Sequence, residues 1–211
     1  QILPGLTLAR MLKEKHPHLH ITLGGPIFSV NSKQLLDQPE FFDEFCDSVV
    51  TFEGEEPLHR LLTALKQGTA LKEVPNLLFC DNGKVELNEE RVELRFEELP
   101  PPTFDGLPMD LYLSPYPILP VLQSRGCYWG KCTFCTHSFV YGHRYGKQRT
   151  QQMVGELEAL AEKYNTKYFT FSDEAVSPHS LNDVSEEIIK RGLDIKSLAL
   201  LKFEKVMDEQ L

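Results

Sequence analysis

The sequence has few of the features that mark membrane, secreted or nucleic-acid-binding proteins. No apolar stretch approaches the roughly 20 residues that a membrane-spanning helix needs. The cysteines number 5, and an odd count does not suggest a disulfide framework. Acidic residues outnumber basic residues by 31 to 22, and no basic run is present. These absences argue against binding to membranes or nucleic acids and favour the cytoplasm, where thiols stay reduced.

The sequence does contain enough apolar residues for a packed core. They make up 41% of its 211 residues, and charged residues make up 25%. An acidic stretch is followed by a proline-rich run, and proline restricts the backbone and removes amide donors. This change of composition predicts three regions: an α/β domain over residues 1–95, a linker over 96–117 and a second domain over 118–211.

The first region alternates helices with short strands that end in glycine turns. A helix is predicted over residues 2–15, strands over 19–23 and 48–52, and another helix from Pro57 to Gly68. Helix, strand and glycine turn form half of a doubly wound α/β unit, and ligands lie at such strand ends. The apolar faces of the two helices are predicted to contain Leu8, Met11 and Leu12 in the first and Leu58, Leu61, Leu62 and Leu65 in the second.

Two further strands are predicted on either side of Asp81-Asn82-Gly83, which is a strong hairpin signal. The last region then shows a β-α-β-α-β pattern, and such units pair in parallel with right-handed crossovers. Its strands are predicted over 118–122, 167–171 and 195–201. Thr150 and Ser180 are predicted to cap the two intervening helices.

Three of the cysteines, Cys127, Cys132 and Cys135, lie together in the loop after the first strand of the last region. Thiolates gathered in a loop can pair as a disulfide, hold a zinc ion or hold an iron–sulfur cluster. Three is an awkward number for a disulfide, which uses two thiols, and for structural zinc, which takes four ligands. On a [4Fe–4S] cluster, three thiolates leave one iron open to a small molecule. Cys46 and Cys80 are predicted to be structural.

This cysteine loop resembles the cluster-binding loop of the radical S-adenosylmethionine (SAM) enzymes. That loop usually reads C-x3-C-x2-C, with an aromatic residue before the last cysteine. Phe134 fills the aromatic position, and Cys132 and Cys135 have the family's spacing. The first gap is one residue longer than usual and consists of Tyr128, Trp129, Gly130 and Lys131. Longer gaps, and an R-G-C-aromatic-W pattern, occur in the cobalamin-dependent branch, which the flanking sequence also resembles.

A protein of another class stays open as an alternative: a non-catalytic, zinc-binding α/β interaction protein. The C-x2-C spacing with a nearby histidine is common in zinc sites, and His137 or His143 could be the fourth ligand. Metal analysis separates the two hypotheses, because an iron–sulfur protein is brown and a zinc protein is colourless.

The resemblance implies a partial (β/α) barrel with its active site at the carboxyl ends of the strands. In the family, an acidic residue at the end of the second strand receives the amino group of SAM. Glu174 matches that position best, and Asp173 is the next candidate. An external electron donor of the flavodoxin or ferredoxin type would reduce the cluster. SAM would then be cleaved to methionine and a 5′-deoxyadenosyl radical, which would abstract hydrogen from a small-molecule or peptide substrate.

The turns L-G-G-P and F-E-G-E-E-P resemble the later half of the cobalamin-binding domain found upstream of many radical SAM modules. This resemblance assigns to cobalamin binding the residues Gly24, Gly25, Glu53, Gly54 and Glu55. Bound cobalamin would make methyl transfer to an unactivated carbon possible. The family's D-x-H-x-x-G motif is absent from these residues. We therefore expect a piece of a longer polypeptide that is inactive alone. It would hold the C-terminal part of a doubly wound, flavodoxin-like domain and the first strands of a radical SAM barrel.

Overall fold

The computed structural model describes residues 2–88, 98–141 and 144–204. The chain forms two compact units, and each has its own hydrophobic core. The first unit comprises Gln1–Leu94 with Phe139–Gly142, and the second comprises Arg95–Ser138 with His143–Leu211. The fold is mixed α/β with parallel strand pairs, as the sequence predicts. Within the described ranges, no helix is long and apolar enough to cross a membrane.

The first unit is built on a sheet with the strand order β1-β2-β3-β4. Its strands are β1 (Thr22–Gly24), β2 (Ser48–Val50), β3 (Leu77–Asp81) and β4 (Lys84–Leu87). β1 and β2 are parallel, whereas the other two neighbouring pairs are antiparallel. The first strand begins later than predicted, because the amide of Ile21 donates to Asp47 Oδ2 at 2.7 Å instead of to a strand.

The predicted hairpin is confirmed between β3 and β4. Asp81 pairs with Lys84 across the turn. The two residues between them, Asn82 and Gly83, have φ angles of 51° and 78°. Two successive positive φ angles are typical of the two-residue turn whose twist matches that of the strands.

The helices of the first unit flank this sheet. They are α1 (Ile2–Lys15), α2 (Pro26–Val30), α3 (Ser32–Leu35), α4 (Pro39–Glu44) and α5 (Glu55–Gln67). The bounds predicted for α1 are confirmed, but its predicted face is only partly right. Ala9 is buried and Leu12 packs against the core, whereas Leu8 and Met11 are exposed.

The predicted apolar face of α5 is wrong for three of its four leucines. The helix buries Pro57, Leu61 and Ala64, which follow one another at helical spacing. The leucines that are exposed instead are Leu58, Leu62 and Leu65. They form a stripe one residue further along the helix, rotated away from the core. The positions of the leucines alone predicted the wrong stripe. The buried stripe includes the small Ala64, which allows the helix to pack closely against the sheet.

The second unit is built on a parallel sheet with the strand order β5-β8-β9. These strands are β5 (Ile118–Val121), β8 (Tyr168–Phe171) and β9 (Lys196–Leu198), connected through α7 (Thr150–Tyr164) and α8 (Pro178–Lys190). The short helix α6 (His137–Val140) precedes α7 in the chain. The β-α-β-α-β prediction is therefore confirmed. The core of the second unit is formed by inward side chains of these strands and helices, among them Leu119, Met153, Leu157, Phe169 and Val184.

Both predicted helix caps of the second unit are displaced. α7 begins at Thr150 itself, with Arg149 at the N-cap position. The cap of α8 is Ser177, whose Oγ accepts the amide of Ser180 at 3.2 Å. Either serine suits a cap, but Pro178 fixes the first helical position and so selects the serine before it.

The described part of the proline-rich segment belongs to the second unit and contributes to its core. Phe104 is buried in its core, and the Phe104 amide donates to the hydroxyl of Tyr164 at 2.7 Å. Asp105 accepts hydrogen bonds from the same hydroxyl at 2.8 Å and from Lys163 Nζ at 2.6 Å.

Candidate functional site

The cysteine loop leaves the carboxyl end of β5 and is closed at its base by a small ladder. β6 (Ser124–Arg125) pairs antiparallel with β7 (Gly146–Lys147). Between them, Gly126 has a φ of 81°, and a Cβ atom there would overlap the carbonyl oxygen of Arg144. Only glycine suits this combination of positive φ and close backbone approach. The base of the loop therefore depends on a residue without a side chain.

The three thiols of the loop are free, and two of them are accessible. Cys127 is half-buried, whereas Cys132 and Cys135 are exposed. The Cys135 amide donates to the Cys132 carbonyl at 3.3 Å, which makes a tight turn between them. Phe134 lies on this turn with 88% of its surface exposed.

The donor set fits an iron–sulfur cluster by its chemistry, since thiolates are the usual ligands of such clusters. Among the described residues, no three His, Cys, Asp or Glu side chains are gathered closely enough to hold a metal ion. The two histidines considered for zinc are placed differently. His137 Nε2 is 3.4 Å from Glu174 Oε1, and His143 lies outside the described residues.

The other two cysteines lie in the first unit. Cys46 is fully buried among Phe42, Val49 and Leu78. Burial raises the pKa of the Cys46 thiol to about 12, which keeps it protonated and unreactive. Cys80 is half-buried on β3.

Asp173 holds the base of the cysteine loop. It is buried, and its carboxylate accepts the amides of Gln123 at 3.0 Å and Ser124 at 2.6 Å, together with the Ser124 hydroxyl. Burial raises the pKa of Asp173, and these hydrogen bonds oppose that rise. Both carboxylate oxygens are thus engaged by the residues that lead into the loop. The sequence indicated Asp173 as the second candidate ligand for SAM, and this positioning task was missed.

Glu174 is the more exposed of the two carboxylates at the end of β8, and His137 lies beside it. Its side chain is 54% exposed. A cleft of 360 Å³ opens beside it at the carboxyl ends of β8 and β9, lined by residues 170–174 and 198–200. Asp173 and Glu174 are therefore neighbours at a strand end, as predicted, but they face different partners.

Two residues of the loop's first gap contact the segment that follows β9. The Tyr128 hydroxyl donates to Glu204 Oε1 at 2.6 Å, and burial is the main reason for the raised pKa of this tyrosine. Lys202 Nζ lies 3.7 Å from the centroid of the Trp129 ring, a cation–π geometry. These contacts could not be predicted, since nothing in the sequence pairs residues so far apart along the chain.

The glycine turns of the first unit border a second cleft, of 470 Å³. It lies at the carboxyl ends of the parallel strands β1 and β2, where ligands bind in open α/β sheets. The structure brings together at this cleft Gly24, Gly25, Gly54 and Glu55. Glu53, also predicted, is half-buried in the same turn. The cleft also contains Phe52, which sequence reasoning missed.

Comparison with known proteins confirms the resemblance to radical SAM enzymes of the cobalamin-dependent branch. No protein-family profile matches the chain. An uncharacterized methyltransferase of Pyrococcus horikoshii is 32% identical over 196 residues, which is 90% of this chain and 41% of that protein. The chain thus spans about two fifths of the length of this curated relative.

Two solved structures share the fold. The radical SAM methyltransferase TsrM of Kitasatospora setae matches with a TM-score of 0.68 and 19% identity, over 94% of this chain and 41% of TsrM. TsrM has been solved with cobalamin and a [4Fe–4S] cluster bound. The cobalamin-dependent SAM radical enzyme OxsB, with aqua-cobalamin bound, matches with a TM-score of 0.64 and 23% identity, over 89% of this chain and 27% of OxsB.

Proposed function

We propose that this chain is part of a radical SAM enzyme. Its cysteine loop would hold a [4Fe–4S] cluster through Cys127, Cys132 and Cys135. The observation that carries the proposal is the place of three free thiols in one loop, at the carboxyl end of the first strand of a parallel sheet. Asp173 and Glu174 follow the neighbouring strand β8 of the same sheet.

The chain's own residues would have distinct tasks. When bound, the cluster supplies an electron and an open iron site for SAM. The three thiolates hold the cluster, and Asp173 fixes the two residues that lead into the loop. Glu174 would accept the ammonium group of SAM in the cleft beside it, and the exposed Phe134 would border the bound group. An electron donor of the flavodoxin or ferredoxin type would reduce the cluster. The substrate would be a small molecule or a peptide.

We assign the second unit to the first strands of a partial (β/α) barrel, with the region 118–211 as its start. The first unit, over 1–95, would be the C-terminal part of a doubly wound, cobalamin-binding type of domain, with 96–117 as the connection. The parallel pair β1–β2 and the cleft at its carboxyl end support this assignment. Free thiols suit a cytoplasmic protein.

The first unit's cleft would contact cobalamin, and the whole polypeptide would then transfer methyl groups. Two observations support this finer assignment. The cleft combines glycine backbone with apolar side chains at strand ends, which allows a large ligand to approach the main chain. The Pyrococcus relative and TsrM are both described as methyltransferases.

The decisive experiment is anaerobic reconstitution of the chain with iron and sulfide. Replacing any one of Cys127, Cys132 or Cys135 by Ala should abolish the broad visible absorbance of the cluster. Cys46→Ala and Cys80→Ala are the matched controls and should keep it. Absorbance that is lost only in the control variants, or a colourless protein that retains zinc, would contradict the assignment.

The SAM site has its own test on the reconstituted protein. Glu174→Gln removes the charge that would pair with the ammonium group of SAM. Calorimetry should therefore show much weaker SAM binding at unchanged iron content. Unchanged SAM affinity would remove Glu174 from the proposed site.

A further inference from the structure

Phe52 has a backbone conformation that its side chain disfavours. Its φ is 60°, in the left-handed region where a bulky residue is an outlier. Among the described residues, the other non-glycine positions with positive φ are all asparagines, Asn76, Asn82 and Asn165. Asparagine tolerates this region, whereas phenylalanine has no local means to stabilise it. Strained residues of this kind persist only where the surrounding structure holds them, and they cluster at ligand-binding sites.

A buried hydroxyl holds this conformation. The Phe52 amide donates to Ser29 Oγ at 2.7 Å, and Ser29 is fully buried. The Ser29 hydroxyl in turn donates to the Gly25 carbonyl at 3.4 Å. One step earlier in the chain, the Thr51 amide donates to the Asn76 carbonyl at 2.9 Å. Ser29 thus connects the turn after β1 with the turn after β2, and it fixes the backbone where Phe52 leaves β2.

The strained residue is also part of the cleft. Phe52 is half-buried and lines the 470 Å³ space together with the glycines of both turns. Its ring lies 6.2 Å from the ring of Phe139, centroid to centroid, within the same compact unit. Packing against Phe139 is therefore the competing reason for an aromatic residue here, and an experiment must separate it from ligand contact.

We propose that Phe52 contacts the ligand of this cleft and that Ser29 positions it for that contact. A glycine would adopt the same backbone without strain, so the ring must have a use that offsets the strain. Because the ring lies beside glycine backbone, it offers an apolar aromatic surface to a large ligand that reaches the main chain. The inference rests on the proposed assignment of cobalamin to the cleft.

The test measures the binding of hydroxocobalamin to the full 211-residue chain by equilibrium dialysis with visible absorbance. Phe52→Asn keeps a residue that tolerates positive φ and removes the ring, so we expect binding to weaken by about tenfold or more. Phe52→Tyr keeps the ring and should bind within about threefold of the native chain. Phe139→Ala is the control for lost packing. It should lower the thermal midpoint while the affinity stays within about threefold.

Ser29→Ala removes the acceptor of the Phe52 amide and should weaken binding. If Ser29 acts through Phe52, the double variant Ser29→Ala/Phe52→Asn should lose little more affinity than Phe52→Asn alone. Native affinity in Phe52→Asn, or an equal loss in Phe139→Ala, would overturn the inference. A native chain that does not bind hydroxocobalamin would overturn the cofactor assignment and the inference together, whereas cluster loading by the loop cysteines would be unaffected.

Discussion

At the residue scale, the cysteine loop depends on Gly126 as much as on its thiols. A side chain at Gly126 would meet the Arg144 carbonyl, and its backbone lies in the left-handed region. Gly155, in the middle of α7, is the opposite case. It has helical backbone, and the atom nearest to an added Cβ is Arg191 Nη1 at 3.9 Å. The same chemical change should therefore have opposite effects at these two positions.

Gly126→Ala should destabilise the base of the loop and lower the iron content after reconstitution. Left-handed backbone alone costs roughly 1–2 kcal/mol for a residue with a Cβ, and the overlap adds to that cost. Gly155→Ala should instead stabilise the chain by about 0.5–1 kcal/mol, since alanine is the better helix former. Iron analysis and thermal unfolding of both variants provide the measurement. Full cluster loading in Gly126→Ala would show that the loop base can rearrange.

Glu156 is a carboxyl group on the buried side of α7, and its burial raises its pKa above the ordinary value of 4.5. Gln148 Nε2 lies 3.4 Å from its Oε2 and partly opposes this shift. A folded state with the higher pKa binds the proton more tightly than the unfolded state does. The stability that this proton provides is present below pH 4.5 and is lost as the pH rises through the folded-state value.

Glu156→Gln should therefore raise the thermal midpoint at neutral pH, because the amide needs no charge in its buried position. The gain over the native chain should shrink as the pH falls through the raised pKa of Glu156, because the native carboxyl group then takes up its proton in the folded state. Glu162→Gln, an exposed position on the same helix, controls for helix propensity. Thermal unfolding between pH 4 and 8 is the measurement. A gain that does not depend on pH would contradict the burial argument.

At the scale of elements, sequence patterns predicted the existence of strands and helices better than the side on which each helix packs. The order β-α-β-α-β and the Asn82-Gly83 hairpin follow from local signals, namely periodicity and turn chemistry. Which residues of α5 are buried depends on the shape of the sheet against which the helix packs. The local sequence of the helix does not specify that shape. Leu61 is 1% exposed and its neighbour Leu62 is 59% exposed, although both are leucines in one helix.

The two leucines give a matched pair of substitutions. Leu61→Ala should lower the free energy of unfolding by about 2–5 kcal/mol, because it opens a cavity in the core. Leu62→Ala should change the free energy of unfolding by no more than about 0.5 kcal/mol, since its side chain is exposed. Denaturant unfolding of both variants checks the assignment of faces. Similar losses would mean that Leu62 is covered in solution.

The residues of the candidate site were likewise predictable from the sequence only where they depend on local features. Its thiols and the adjacent Asp173–Glu174 pair could be found from the sequence, because spacing within a loop and position after a strand are local features. The different tasks of the two carboxylates could not be predicted from the sequence. Asp173 is distinguished from Glu174 by hydrogen bonds to Gln123 and Ser124, which tertiary folding brings within reach. The strain at Phe52 likewise depends on Ser29, a residue of another element.

At the scale of the whole molecule, each proposed cofactor site lies on a unit with a core of its own. The glycine cleft is formed by the first unit, whose described core residues include Val49 and Leu78. The cysteine loop leaves the sheet of the second unit, whose core includes Leu119 and Phe169. We predict that damage to one site leaves the other intact, because the two core clusters have no residue in common.

The last prediction tests this independence with one substitution in each unit. Gly25 has a φ of 106°, so Gly25→Val forces a β-branched residue into a strained conformation at the cleft. Hydroxocobalamin binding should fall by about tenfold or more, while iron content after reconstitution stays at the native level. Cys132→Ala should show the reverse: loss of the cluster with native affinity for hydroxocobalamin. If either variant lost both cofactors, one unit would depend on the other for its folding, and the cofactors would have to be assigned to a single cooperative structure.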